Sequence, residues 1–182
     1  MDMDAVIKEF NENGFAILRD VLEAETLDAA KQECETLVAN LALQRCVAGK
    51  LTNTYPDAPL ETRLIRIYEG YPDENPTLFR TELHREGFFR IFAHPTLLEL
   101  ASRVVGAEIR LYPNYTVRPK LPENKRTEVL WHQDAGYTSE EAELLSMMNV
   151  WIPLVPVNRE NGCMEFIPVS YTHLTLPTKR IV

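Results

Sequence analysis

The run Trp131-His132-Gln133-Asp134 holds the residues whose types and spacing can do chemistry in this 182-residue chain. In an extended strand, side chains i and i+2 point to the same face, so the His132 imidazole and the Asp134 carboxylate can converge on one ion. That is the two-ligand arm of a 2-His-1-carboxylate face. Such a face holds Fe(II) with three protein ligands and leaves the opposite positions open for a co-substrate and O2. Taken alone the spacing is a weak signal, because a solvated His-Asp pair at a strand end has the same form.

The elements that must position this pair follow from the chain's punctuation. Residues 5–12 carry Val6, Ile7 and Phe10 at helical spacing and stop at Asn13-Gly14, and the short apolar run 15–18 suits a strand. A second helix is expected over residues 24–43, with Leu27, Cys34, Leu37, Val38 and Leu41 as one apolar stripe packing on a sheet. Residues 55–76 hold four prolines around a possible strand at 63–68 and otherwise suit a loop. A third helix follows His94-Pro95, buries Leu97, Leu98, Leu100, Val104 and Val105, and stops at Gly106. After Gly106 the pattern changes to short runs bounded by Pro, Gly and Asn, at 109–118, 128–133, 145–154 and 163–167, which is strand punctuation. Helices first and strands afterwards predict an α+β fold or a helix-decorated barrel. The lack of βαβ alternation argues against a doubly wound sheet.

Composition narrows the function classes. With 45% hydrophobic and 25% charged residues the chain has the makings of one domain with a real core. A net charge of -8, from 27 acids against 19 bases, argues against a nucleic-acid partner. No apolar stretch reaches the roughly 18 residues that span a bilayer, and the acidic Met1-Asp2-Met3-Asp4 is unlike a signal peptide, so a cytoplasmic address is expected. Cys34, Cys46 and Cys163 are odd in number and unclustered, which suggests neither a disulfide framework nor a zinc site. His84 and His94 lack a ligand at coordinating spacing and are expected to be structural. The basic loop Arg118-Pro119-Lys120 with Lys125-Arg126 is expected to be solvated, although it could meet an anionic substrate.

Context strengthens the His132-Asp134 signal. The lead-in Val129-Leu130-Trp131, the turn Ala135-Gly136-Tyr137, the run Met147-Met148-Asn149-Val150-Trp151-Ile152-Pro153-Leu154 and the segment Asn158-Arg159-Glu160-Asn161-Gly162-Cys163-Met164-Glu165-Phe166-Ile167-Pro168 follow one another. Together with Phe10-Asn11-Glu12-Asn13-Gly14-Phe15 and Leu18-Arg19-Asp20-Val21-Leu22 near the start, they resemble the phytanoyl-CoA dioxygenase family of Fe(II)/2-oxoglutarate oxygenases. The resemblance covers nearly all of residues 1–168. It implies a double-stranded β-helix (jelly roll) with N-terminal flanking helices, Fe(II) on His132 and Asp134, and 2-oxoglutarate as co-substrate near Asn114, Gln133 and Trp151. The reaction implied is hydroxylation of a small-molecule or acyl substrate by O2, with release of succinate and CO2. Asp134 favours hydroxylation, since halogenating relatives carry a small residue there. For Trp151 a core aromatic filling the barrel is the equal alternative, and for Asn114 a satisfied polar group on a strand is the favoured reading. A non-catalytic cupin-like jelly-roll binding module remains the alternative function.

The resemblance breaks after Pro168, where the family continues Gly-Ser-His and this chain has Val169-Ser170-Tyr171. Residues 169–178 look like a translated transposon-type sequencing adapter, so residues 1–168 are expected to be the oxygenase portion and 169–182 a non-native tail. His173 is set aside as a ligand. The distal His and the Arg that the family places later are absent, which implies an incomplete barrel and absent or very low activity for the chain by itself.

Overall fold

A computed structural model describes residues 1–74, 76, 79–112, 115–132 and 146–168. Its first part is built from five helices. The helix α1 (Met3–Asn13) starts where the extended Asp2 lets its carboxylate accept the Asp4 and Ala5 N–H groups. It stops at Gly14, whose φ of 80° is left-handed and whose N–H donates to the Phe10 carbonyl. The helix α2 (Ala24–Val47) is the spine: Ala30, Cys34, Leu37, Val38, Ala42 and Arg45 recur every three or four residues and are all buried. Packed on that stripe are α4 (Glu86–Phe92) and then α3 (Leu60–Tyr68). The helix α5 (Pro95–Val105) begins on Pro95, ends at Gly106, and lies against α1 and α4.

Two ties hold these helices besides apolar burial. His94, 7% exposed at the start of α5, places Nε2 3.0 Å from Glu23 Oε2 at the start of α2. The expectation that His94 is structural matches this contact. Arg45 lies buried between the Tyr68 and Tyr71 rings, 4.6 Å from each centroid, and donates from Nη1 to Glu74 Oε2 at 2.7 Å. Arg45 Nε and Nη2 have no hydrogen-bond partner among the described residues, so the two ring faces carry much of the compensation for burying the cation. Lys50 Nζ holds the other carboxylate oxygen of Glu74 at 2.6 Å, strapping residues 69–74 across the end of α2.

The strap has a pH signature. Hydrogen bonds from Lys50 and then Arg45 hold the Glu74 carboxyl below the usual glutamate range. A carboxyl with a depressed folded-state pKa contributes stability that is present above its unfolded pKa and lost as pH falls through the folded value. The thermal midpoint is therefore expected to drop as pH goes beneath the ordinary glutamate range. Glu74→Gln should be less stable at neutral pH and show a shallower acid decline. Parallel pH profiles for the two proteins would show that Glu74 contributes no such term.

The expected α+β jelly roll is corrected by the structure. Among the described residues the regular elements are helical, and strand pairing is confined to one antiparallel bridge between Phe79 and Val117. Residues 109–112, 115–118, 128–132, 146–154 and 163–167 have no ladder to complete. Propensity makes such runs extended, whereas a strand also needs a second backbone about 4.8 Å away to take its N–H and C=O groups. Residues 15–18 are likewise unpaired, with Phe15 stacked on Phe166 at 4.7 Å. The run 63–68 is not a strand but the end of α3. At helical period Arg63, Ile67 and Tyr68 share the buried side, and Arg63 Nε and Nη2 donate to the Thr54 carbonyl. The apolar face of α2 accordingly meets helices rather than a sheet. In α5 Leu100 is buried as expected, while Leu98 is 39% exposed.

Among the described residues, no helix is long and apolar enough to cross a membrane.

Candidate functional site

The segment leading to His132 is anchored at a short turn. Asn124 accepts the Arg126 N–H, making a one-turn 3-10 helix over Lys125–Thr127. Thr127 is buried, and its hydroxyl lies 2.9 Å from the Asn124 carbonyl while accepting the Leu121 N–H. Beyond this anchor residues 128–132 are irregular and exposed, with Trp131 62% exposed. His132 lies in that segment, outside any helix, with Nδ1 2.7 Å from the Leu130 carbonyl. A carbonyl can only accept, so Nδ1 is the donor in this contact, which assigns the Nδ1–H tautomer when the ring carries one proton. That tautomer is the one metal-ligating histidines use, with the other ring nitrogen donating to a backbone carbonyl.

Asp134, Gln133 and Asn114 lie outside the described residues, as does His173. The shared face expected of His132 and Asp134 therefore falls outside them too. Trp151 is described. In residues 151–154, Ile152 and Leu154 pack on the helical core, while Trp151 is 44% exposed. It is not a filled core aromatic here. The turn after it is well built: the Asn158 side chain accepts the Glu160 and Asn161 N–H groups, and Asn161 Oδ1 accepts the Asn158 N–H in return. Gly162 then takes a φ of 85°, and a Cβ there would stand 2.8 Å from Lys120 Cδ, so the basic loop lays a lysine stem across this turn.

As a metal centre, the donor set fits in the one respect His132 displays, its tautomer. Among the described residues, no group of three or more His, Cys, Asp or Glu could hold an ion. Cys34 is no candidate ligand, since burial pushes its pKa up to about 12.

The family profile described as phytanoyl-CoA dioxygenase (PhyH) matches residues 10–178. The chain belongs to the phytanoyl-CoA dioxygenase family. The family match takes in both halves, from the end of α1 through the segment carrying His132, and continues past Pro168. Among relatives, the chain is 25% identical over 167 residues to 1-deoxypentalenic acid 11-beta-hydroxylase of Streptomyces arenae, covering 88% of this chain and 52% of that protein. It is 23% identical over 189 aligned residues to phytanoyl-CoA dioxygenase domain-containing protein 1 of Bos taurus, covering 91% of this chain and 64% of that protein. The chain thus spans about half to somewhat under two thirds of these relatives. No solved structure matches it significantly.

Local spacing missed one feature altogether. A cavity of about 420 Å³ opens between α4 and the segment around Leu111 and Tyr115. Its walls come from residues 83–92 and from 111 and 115, which carry no shared motif and meet only through the fold.

Proposed function

We propose that this chain carries the iron-binding arm of an Fe(II)/2-oxoglutarate-dependent oxygenase that hydroxylates a small molecule with O2. The observation that carries the reading is the family match across residues 10–178, which includes the His132-Asp134 pair. The relative named as a hydroxylase supports hydroxylation as the reaction class. His132 and Asp134 would hold the iron, with Asn114, Gln133 and Trp151 around the 2-oxoglutarate. Bound iron would supply O2 activation coupled to oxidative decarboxylation of 2-oxoglutarate to succinate and CO2.

The chain's own part is placement. The Leu130 carbonyl holds the His132 ring in the ligating tautomer, and the Thr127 anchor fixes where that segment leaves the core. Trp151, exposed beside the core-packed Ile152 and Leu154, offers an indole face and an N–H to a bound molecule. The test is succinate formation from 2-oxoglutarate by the product of the complete reading frame, with and without Fe(II). Iron-dependent succinate is expected. Iron binding without any 2-oxoglutarate turnover would favour the cupin-like binding module instead.

A further inference from the structure

Thr127 is the last residue before His132 whose side chain is tied into the body of the molecule. It is 9% exposed, whereas residues 128–131 are exposed and their side chains make no hydrogen bond or ion pair among the described residues. Its N–H donates to the Asn124 carbonyl at 3.0 Å. Its hydroxyl, within reach of the Asn124 and Leu121 carbonyls at 2.9 and 3.3 Å, also accepts the Leu121 N–H at 3.4 Å. Leu121 is packed on the helical core, and Asn124 Nδ2 donates to the Pro72 carbonyl at 3.4 Å, in the segment that Glu74 straps to α2. One hydroxyl thus closes residues 121–127 into a knot held by the helical part at two points. Five residues, 128–132, lead from the knot to the imidazole. With the knot open, the nearest residue packed on the core is Leu121, and eleven residues, 122–132, lie between.

We infer that Thr127 is a positioning residue for the iron-binding arm: its hydroxyl keeps the tether behind His132 at five residues rather than eleven. A ligand on a flexible tether has an effective concentration that falls as about the −3/2 power of tether length, so the longer arm meets the ion about threefold more weakly. The hydroxyl acts on binding and not on the chemistry that follows, because Thr127 reaches the ion only through His132. Valine keeps the shape of threonine but leaves the half-buried Leu121 N–H without its acceptor, and that loss shifts the knot toward its open form. The identity of the ion rests on the oxygenase reading, whereas the knot itself does not.

The test uses the product of the complete reading frame, freed of metal by anaerobic dialysis. In the iron-free protein Thr127→Val should raise amide hydrogen exchange across residues 121–127 at least about fivefold, while α2 and α4 keep the exchange and the circular dichroism of the parent. Fe(II) titrated against a chromophoric chelator should bind Thr127→Val about threefold more weakly, with kcat for succinate unchanged at saturating iron. Thr127→Ser, which restores the hydroxyl, should match the parent in exchange, affinity and kcat. Inserting Gly-Ser-Gly-Ser-Gly-Ser between Thr127 and Glu128 lengthens the tether to about eleven residues without touching the knot, and should reproduce the threefold loss with parent-like exchange at 121–127. The inference is overturned by unchanged exchange in Thr127→Val, by unchanged iron affinity in either lengthened arm, by a serine variant as weak as the valine one, or by a kcat that falls at saturating iron. A parent that binds iron but makes no succinate sinks the oxygenase reading and leaves the comparison of iron affinities in force.

Discussion

Gly87→Ala is expected to destabilise the helical part by about 2 kcal/mol net, from about 3 kcal/mol of overpacking offset by about 1 kcal/mol of better helix propensity. The cause is the crossing of α4 over α2. A Cβ on Gly87 would lie 2.6 Å from the Ala29 carbonyl oxygen and 2.8 Å from its carbon. Glu33 Cγ, also at 2.8 Å, can swing away. The Ala29 backbone belongs to a 24-residue helix and cannot, so α4 must lift and loosen the seam that buries Phe88 and Ile91. Urea unfolding followed by circular dichroism measures the effect. Gly70→Ala is the control, because nothing lies within 4 Å of a Cβ there. An alanine at 87 as stable as the parent would mean that the two helices do not approach this closely.

In the product of the complete reading frame, His132→Ala and Asp134→Ala are each expected to lower iron-dependent succinate formation by at least about a hundredfold, since even partners one shell further out cost about 10- to 100-fold. Iron retained after anaerobic dialysis should fall in parallel, because each variant removes one anchor from the proposed ion. Leu130 is held to contribute only its carbonyl, so Leu130→Ala should leave the tautomer and the turnover within about threefold, well short of losing a ligand. If both ligand variants keep their iron and their turnover within twofold of the parent, the assignment of His132 and Asp134 fails.

The helices that could be read from the chain are those whose signals are local. Asp2, Gly14, Pro95 and Gly106 mark ends through their own backbone chemistry, and the α2 stripe repeats over several turns. The helix α3 was open to misreading because six residues, Arg63 to Tyr68, satisfy either period until the burial of Arg63 and Ile67 decides it. The helix α4 gives still less: seven residues, with a glycine at the second position. Strand pairing fails for a different reason. The run 115–118 is extended as its β-branched and aromatic residues favour, yet only Val117 finds a backbone partner, and that partner is Phe79, far away in the chain.

The candidate site divides in the same way. The His132-Asp134 spacing and the Asn161-Gly162-Cys163 turn are local patterns, and the turn is present with its reciprocal Asn158 and Asn161 caps. The tautomer of His132 needed coordinates, because it depends on where the Leu130 carbonyl points. The cavity could not be read at all, since Phe89 and Leu111 become neighbours only when α4 docks.

The strap at Glu74 also bears on the order in which the chain folds. Bringing α4 onto α2 directly closes the 38 residues from 48 to 85, at an entropic cost of about 3 kcal/mol by the logarithmic loop rule. Once Glu74 has seated on Arg45, only 11 residues separate that tie from α4, and the remaining closure costs about 2 kcal/mol. One long search becomes two shorter ones. If the ion pair forms before α4 docks, Glu74→Gln is expected to slow refolding and leave the unfolding rate little changed.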